Sequence, residues 1–137
     1  ISTVVPPASI LQRLELAPGT PMLRLERIRL GNDVPIGLQT SYLVLEPGQG
    51  ITRAEMEEAG SLYKLLQEKF HIIPSEADET LEVTVATKEE AELLQIEEGA
   101  PLLLSERVLF AQNRHPVEYV KILYRGDRYR YYVRLTR

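Results

Sequence analysis

The chain has 137 residues, a length that fits one domain able to bury a core without covalent staples. It contains no Cys, which excludes disulfides, thiolate metal sites and cysteine nucleophiles. Its net charge of −4 is uneven: acids dominate from Glu55 to Glu98, whereas Lys121 to Arg137 holds six basic residues and one acid. That basic end is too narrow for DNA binding by this chain alone, because phosphate binding needs a broad positive face. No apolar run is long enough to cross a membrane and no signal peptide is visible, so a cytoplasmic protein is expected. The chain starts at Ile1 rather than Met and reads as a cut from a longer protein.

In chain order, the first element is a short amphipathic helix within LQRLELAPG, expected to end at Gly19, with Pro21 forbidding its continuation. A strand with period-2 alternation follows, placing Leu23, Leu25, Arg27 and Arg29 on one face and Met22, Arg24, Glu26 and Ile28 on the other. The polar turn Gly31-Asn32-Asp33 leads to a return strand, IGLQTSYLVL. Thr52 and Glu55 form a capping box that opens a short helix. Ser61 then N-caps LYKLLQEKF, whose Leu62, Leu65, Leu66 and Phe70 share a face. A strand runs over about residues 75–86, and Thr87 with Glu90 caps a further helix.

From there the chain repeats itself. At a shift of 80, Leu14 meets Leu94, Gly19 meets Gly99, Pro21 meets Pro101, Glu26 meets Glu106 and Arg27 meets Arg107. One inserted residue in the turn Gln112-Asn113-Arg114 brings Pro35 onto Pro116. The second copy therefore predicts another helix and hairpin, with VEYVKILY as its return strand. A closing strand is expected over Arg128 to Leu135 after an Arg-Gly-Asp turn. The sum is an α+β domain: an antiparallel β-sheet of about six strands, joined largely as hairpins, with short helices.

Motifs for chemistry are sparse. There is no dinucleotide or phosphate-loop fingerprint, no nucleophile elbow and no metal spacing, so neither a cofactor nor a metal is expected. His71 sits where a helix should end and His115 in a turn, which suits capping and structural roles. Glu118 shares a strand face with Val120, Ile122 and Tyr124. It could be half of a buried Glu–Arg pair, face solvent at a strand end, or accept hydrogen bonds from ligand hydroxyls. Arg27 and Arg29 lie about 7 Å apart by strand rise and repel unless an acid or an anion lies between them. Cross-strand pairing with Glu or Asp and an anion site both fit that pattern.

The stretches GTPMLRLERIRLGNDVPIGLQTSYL, SLYKLLQEKF, ETLEVTVATKEEAELLQIEEGAPLLLSERVLF and PVEYVKILYRGDRYRYYVRL together resemble the UTRA domain. This is the effector-binding half of GntR-type transcription regulators of the HutC subfamily, and the resemblance covers nearly all of residues 1–137. It implies a chorismate lyase-like fold and binding of a small metabolite. It also implies a homodimer, and DNA contact only through a winged helix-turn-helix domain absent from this chain. Within the family the chain looks most like regulators answering to amino-sugar phosphates such as N-acetylglucosamine 6-phosphate. That likeness assigns Arg27 and Arg29 to the phosphate and adds Ser61, Tyr63, Glu118 and Tyr124 to the ligand site. Many relatives carry Glu where this chain has Gln39, which still bonds a hydroxyl but removes a charge. A chorismate lyase-like enzyme and a purely dimerising domain are the alternatives.

Overall fold

The computed structural model describes residues 1–46 and 48–136. Strand β1 (Ser2–Val4) is followed by helix α1 (Ala8–Arg13) and the hairpin β2 (Met22–Gly31) and β3 (Val34–Leu43). Helices α2 (Arg53–Ala59) and α3 (Leu62–Phe70) come next, then β4 (Glu76–Val85), α4 (Lys88–Leu94), β5 (Pro101–Ala111) and β6 (His115–Arg125). A 3-10 turn, Gln112–Arg114, joins the last two strands. The strands form one antiparallel sheet in the order β1-β2-β3-β6-β5-β4. The expected α+β class is the one found.

Local chemistry explains the element ends. Asn32 and Asp33 both take positive φ, 51° and 63°, the conformation a two-residue hairpin turn needs to match strand twist. Thr52 with Glu55, and Thr87 with Glu90, form complete capping boxes. His71 closes α3 in the left-handed conformation, the capping role its position suggested.

Two expectations need correction. The first helix ends at Arg13 rather than at Gly19. Glu15, at φ 60°, takes the left-handed cap, and Leu16 N–H reaches back to the Leu11 carbonyl at 2.8 Å. Gly19, at φ 82°, serves a separate turn just before Pro21. The second copy does the same, with Gln95 at φ 58°, Ile96 bonded to Ala91 at 3.0 Å, and Gly99 at φ 84°. Both helices thus end in a Schellman motif.

The closing strand over Arg128 to Leu135 does not form. The chain turns at Arg125–Arg128 and then runs without a strand partner, Tyr129 stacking on Tyr124 at 3.9 Å. The reason lies in the sheet order: β6 already has β3 on one side and β5 on the other, so no edge is left for a returning strand. The sixth strand is instead β1, at the free edge of β2.

That strand extends the repeat. Ser2, Thr3 and Val4 pair with Arg24, Leu23 and Met22, whereas Glu82, Val83 and Thr84 pair with Leu104, Leu103 and Leu102. The same shift of 80 converts one set into the other. Both hairpins break register at equivalent places, between Arg29 and Leu30 and between Leu109 and Phe110. On the central pair β3–β6, Thr40 faces Lys121. The pairings mirror one another outward from there: Gln39–Ile122 with Ser41–Val120, and Gly37–Tyr124 with Leu43–Glu118. A pseudo-two-fold axis therefore passes through Thr40 and Lys121.

Helices α1 and α4 pack on one sheet face. Leu11 and Leu14 bury against Met22, Val108, Phe110 and Tyr119, and Ala91 and Leu94 against Leu102 and Leu123. The segment α2–α3 lies between the two copies. It covers only one end of the opposite face, where Leu62, Leu65 and Leu66 meet Leu25, Leu43, Leu109 and Val120. No described helix covers the other end of that face.

Candidate functional site

Strand register sets the residues of the half-covered face in rows. Leu23, Leu43, Glu118, Leu109 and Ala77 form the first; Leu25, Ser41, Val120, Arg107 and Glu79 the second. Arg27, Gln39, Ile122, Ser105 and Leu81 form the third, and Arg29, Gly37, Tyr124, Leu103 and Val83 the fourth. Helix α3 lies over the apolar end. Beyond it is a cavity of about 430 Å³ lined by Arg29, Gln39, Tyr63, Arg107, Tyr124 and Tyr129, among others.

Four of the seven expected site residues, Arg29, Gln39, Tyr63 and Tyr124, line this cavity. Arg27 and Glu118 flank it on the same sheet face. Ser61 stands apart: it is exposed, and its hydroxyl accepts a hydrogen bond from Lys64 N–H at 3.5 Å as the N-cap of α3.

The polar groups form two linked sets. Arg29 Nε donates to Gln39 Oε1 at 2.7 Å, and Gln39 Nε2 donates to Ser41 Oγ at 3.2 Å. Tyr63 Oη donates to Glu118 Oε1 at 2.9 Å. Glu118 is fully buried, and its Oε2 has no partner; Arg27 Nε is the other buried side-chain atom without one among the described residues. Burial pushes the Glu118 carboxyl up from its ordinary value, opposed by the Tyr63 and Ser41 hydroxyls and the charges of Arg27 and Arg107. Burial also pulls the Arg27 guanidinium down, and the neighbouring charge of Arg29 adds to it. The Tyr63 phenol is pushed up by burial and then by Glu118, so it stays a donor. The site thus combines a buried carboxylate oxygen and a buried guanidinium nitrogen, both unsatisfied, on one floor. Leaving such groups unpaired costs about 1–3 kcal/mol each.

The model of the UTRA domain family matches residues 1–130. The HTH-type transcriptional repressor NagR of Bacillus subtilis is 37% identical over 107 residues, which cover 77% of this chain and 43% of that protein. The repressor PhnF of Mycolicibacterium smegmatis is 31% identical over 110 residues, 80% of this chain and 44% of that protein. This chain belongs to the UTRA domain family. A solved GntR-family transcriptional regulator from Enterococcus faecalis V583 superposes with a TM-score of 0.87 at 28% identity, covering 98% of this chain and 95% of that one. The chain is accordingly a ligand-binding domain of the kind found in GntR-family regulators, and it spans less than half the length of the two curated relatives. No helix among the described residues is long and apolar enough to cross a membrane.

This UTRA domain carries site residues that the sequence reading passed over. Arg107 is the repeat partner of Arg27, and the two stand on the same face about 16 Å apart, three strand spacings across and two residues along. The repeated Glu-Arg pair was the signal that could have found it. Glu79 holds Arg107 at 3.2 Å and accepts from Ser105 Oγ at 3.0 Å. Tyr129 and Tyr131 enter the lining because the chain after β6 folds over this face, and no local pattern carries that information. Gly37 makes room for the wall: a Cβ there would come within 3.2 Å of the Tyr124 ring.

Proposed function

We propose that this UTRA domain binds a small anionic metabolite, a phosphorylated amino sugar or similar sugar phosphate, in the cavity between Arg29, Tyr63 and Tyr124. Binding biases a DNA-binding domain elsewhere in the parent regulator. The observation that carries this reading is the unsatisfied pair on the floor. Glu118 Oε2 offers an acceptor to ligand hydroxyl or amide donors, and Arg27 with Arg29 offers forked donors to an anion. The Nη groups of Arg29 take no protein partner among the described residues, so they remain for the ligand. Gln39 in place of a Glu leaves the charge of Arg29 uncancelled, which favours a strongly anionic ligand.

Ser61 would contribute through its backbone and the start of α3 rather than through its hydroxyl, which already caps the helix. The relatives named as repressors, among them a probable fructoselysine utilization operon repressor of Escherichia coli, support a regulatory role in sugar use and release from DNA as the output. A cytoplasmic homodimer follows from the same reading. The effector acts only if it binds one arrangement of the dimer better than the other.

Calorimetric titration with N-acetylglucosamine 6-phosphate and with unphosphorylated N-acetylglucosamine tests the proposal. Saturable heat is expected for the phosphate and much weaker binding for the neutral sugar. Equal binding of the two would remove the phosphate from the reading. No heat from any of a panel of sugar phosphates would overturn it.

A further inference from the structure

The pseudo-two-fold allows the two halves to be compared at their helix-covered face, and one difference stands out. In the first half, Arg13 of α1 reaches Glu106: its Nη1 donates to Oε2 at 2.7 Å, and the guanidinium lies over Tyr119, 5.4 Å from the ring centroid. The Tyr119 hydroxyl donates to the same carboxylate, and the Tyr42 ring packs beside it at 6.1 Å. An arginine and two aromatic rings thus fill the space between helix and sheet.

The axis carries Arg13 onto Leu93, Glu106 onto Glu26, Tyr119 onto Leu38 and Tyr42 onto Leu123. Leu93, Leu38 and Leu123 are shorter and do not fill the equivalent space. A groove of about 540 Å³ opens between α4 and strands β2 and β3, walled by Ile28, Leu38, Leu93 and Leu123, with Glu26, Glu89 and Glu90 also lining it. Lys121, on the axis, and Arg27 are the cations of this lining, which leaves one carboxylate in excess. The Glu26 side chain is 62% exposed, against 22% for Glu106. Its ion-pair partner is Arg24, two residues along the same strand. An exposed pair of that kind is worth about 1 kcal/mol or less and exchanges readily.

We propose that this groove docks an arginine side chain from a polypeptide partner. Its methylene stem would lie along Ile28, Leu38 and Leu93, and its guanidinium would fork onto Glu26. The carboxylate excess selects a cation, and the apolar walls select one with an aliphatic stem. Arginine fits better than lysine because its planar fork matches a carboxylate and sheds water more easily. The first half provides the template, since Arg13 makes the same arrangement from within the chain. The groove is open-sided and larger than one side chain, which leaves room for residues flanking the arginine. It opens on the sheet face opposite Glu118, with Arg27 and Gln39 the residues it shares with the effector site.

The test is a titration of the 15N-labelled chain at low ionic strength with acetyl-Leu-Arg-Leu-amide, followed by backbone amide shifts. Saturable shifts are expected at residues 26–28, 38–40 and 87–93, with residues 107, 118 and 124 unmoved. Binding is expected to weaken by about tenfold or more with the citrulline peptide and in Glu26→Gln. Leu93→Arg should also abolish binding, by supplying the missing arginine from α4. Should Leu93→Arg not fold, the exposed Glu26→Gln variant still decides. Equal binding of the citrulline peptide, shifts confined to the opposite face, or no saturable shift would overturn the proposal. Free arginine amide binding as tightly as the peptide would replace the polypeptide partner with a small cationic ligand and overturn it too.

Discussion

Tyr63 and Glu118 meet at 2.9 Å across 55 residues of sequence, and this contact ties the inserted helix α3 to the central strand of the repeat. It satisfies one carboxylate oxygen and leaves the second without a partner among the described residues. Tyr63→Phe keeps the ring and removes the donor. The buried carboxyl then loses a bond, and stability should fall by about 1–3 kcal/mol. Urea unfolding of the two proteins at pH 7 measures the difference.

Glu118→Gln tests the cost of the buried charge. The folded carboxyl is raised above its ordinary value of 4.5, so the native state holds its proton more tightly than the unfolded chain. Its contribution to stability is therefore present below that value and is lost as pH rises towards the folded pKa. The Gln variant cannot ionise. Its stability relative to the parent should rise between pH 4 and pH 7, seen as a growing difference in Tm. A difference independent of pH would show that Glu118 titrates normally.

Arg27→Met separates binding from folding. The guanidinium is half-buried, has an unpartnered Nε and sits beside Arg29, so without ligand it contributes little to stability. Thermal melting of the free variant should match or exceed that of the parent. Binding of a sugar phosphate should weaken by about tenfold or more, because a charge-assisted pair is lost. Calorimetry and melting on the same sample read both effects.

Arg13→Leu probes the template on the other face. The substitution leaves Glu106 with only the Tyr119 hydroxyl and removes the guanidinium from over that ring. A loss of about 1–2 kcal/mol is expected from a half-buried ion pair with a cation–π contact, measured by urea unfolding. Effector binding on the opposite face should be unchanged.

Short-range rules made much of this domain legible from its residues. Period-2 alternation alone placed Arg27 with Arg29, and Glu118 with Tyr124, each pair on one strand face. Thr52, Ser61 and Thr87 announced their helices because a side-chain oxygen three residues before a free N–H caps it whatever lies further away. The shift of 80 exposed the duplication, and with it the antiparallel hairpins.

Sequence by itself thus determined most of the elements, their faces and the internal symmetry. The tertiary structure decided which faces were covered and which strands had neighbours. Arg128 to Leu135 alternates as well as any strand in the chain, but a strand needs a free edge, and both edges of β6 are taken. Ser2–Val4 carries almost no pattern, yet it pairs because β2 offers an edge. Glu118 could equally have faced solvent; helix α3 folding over one end of the sheet buried it and left the other end open for Arg29, Arg107 and Tyr124. Those outcomes depend on contacts between residues far apart in the chain, which no local spacing records.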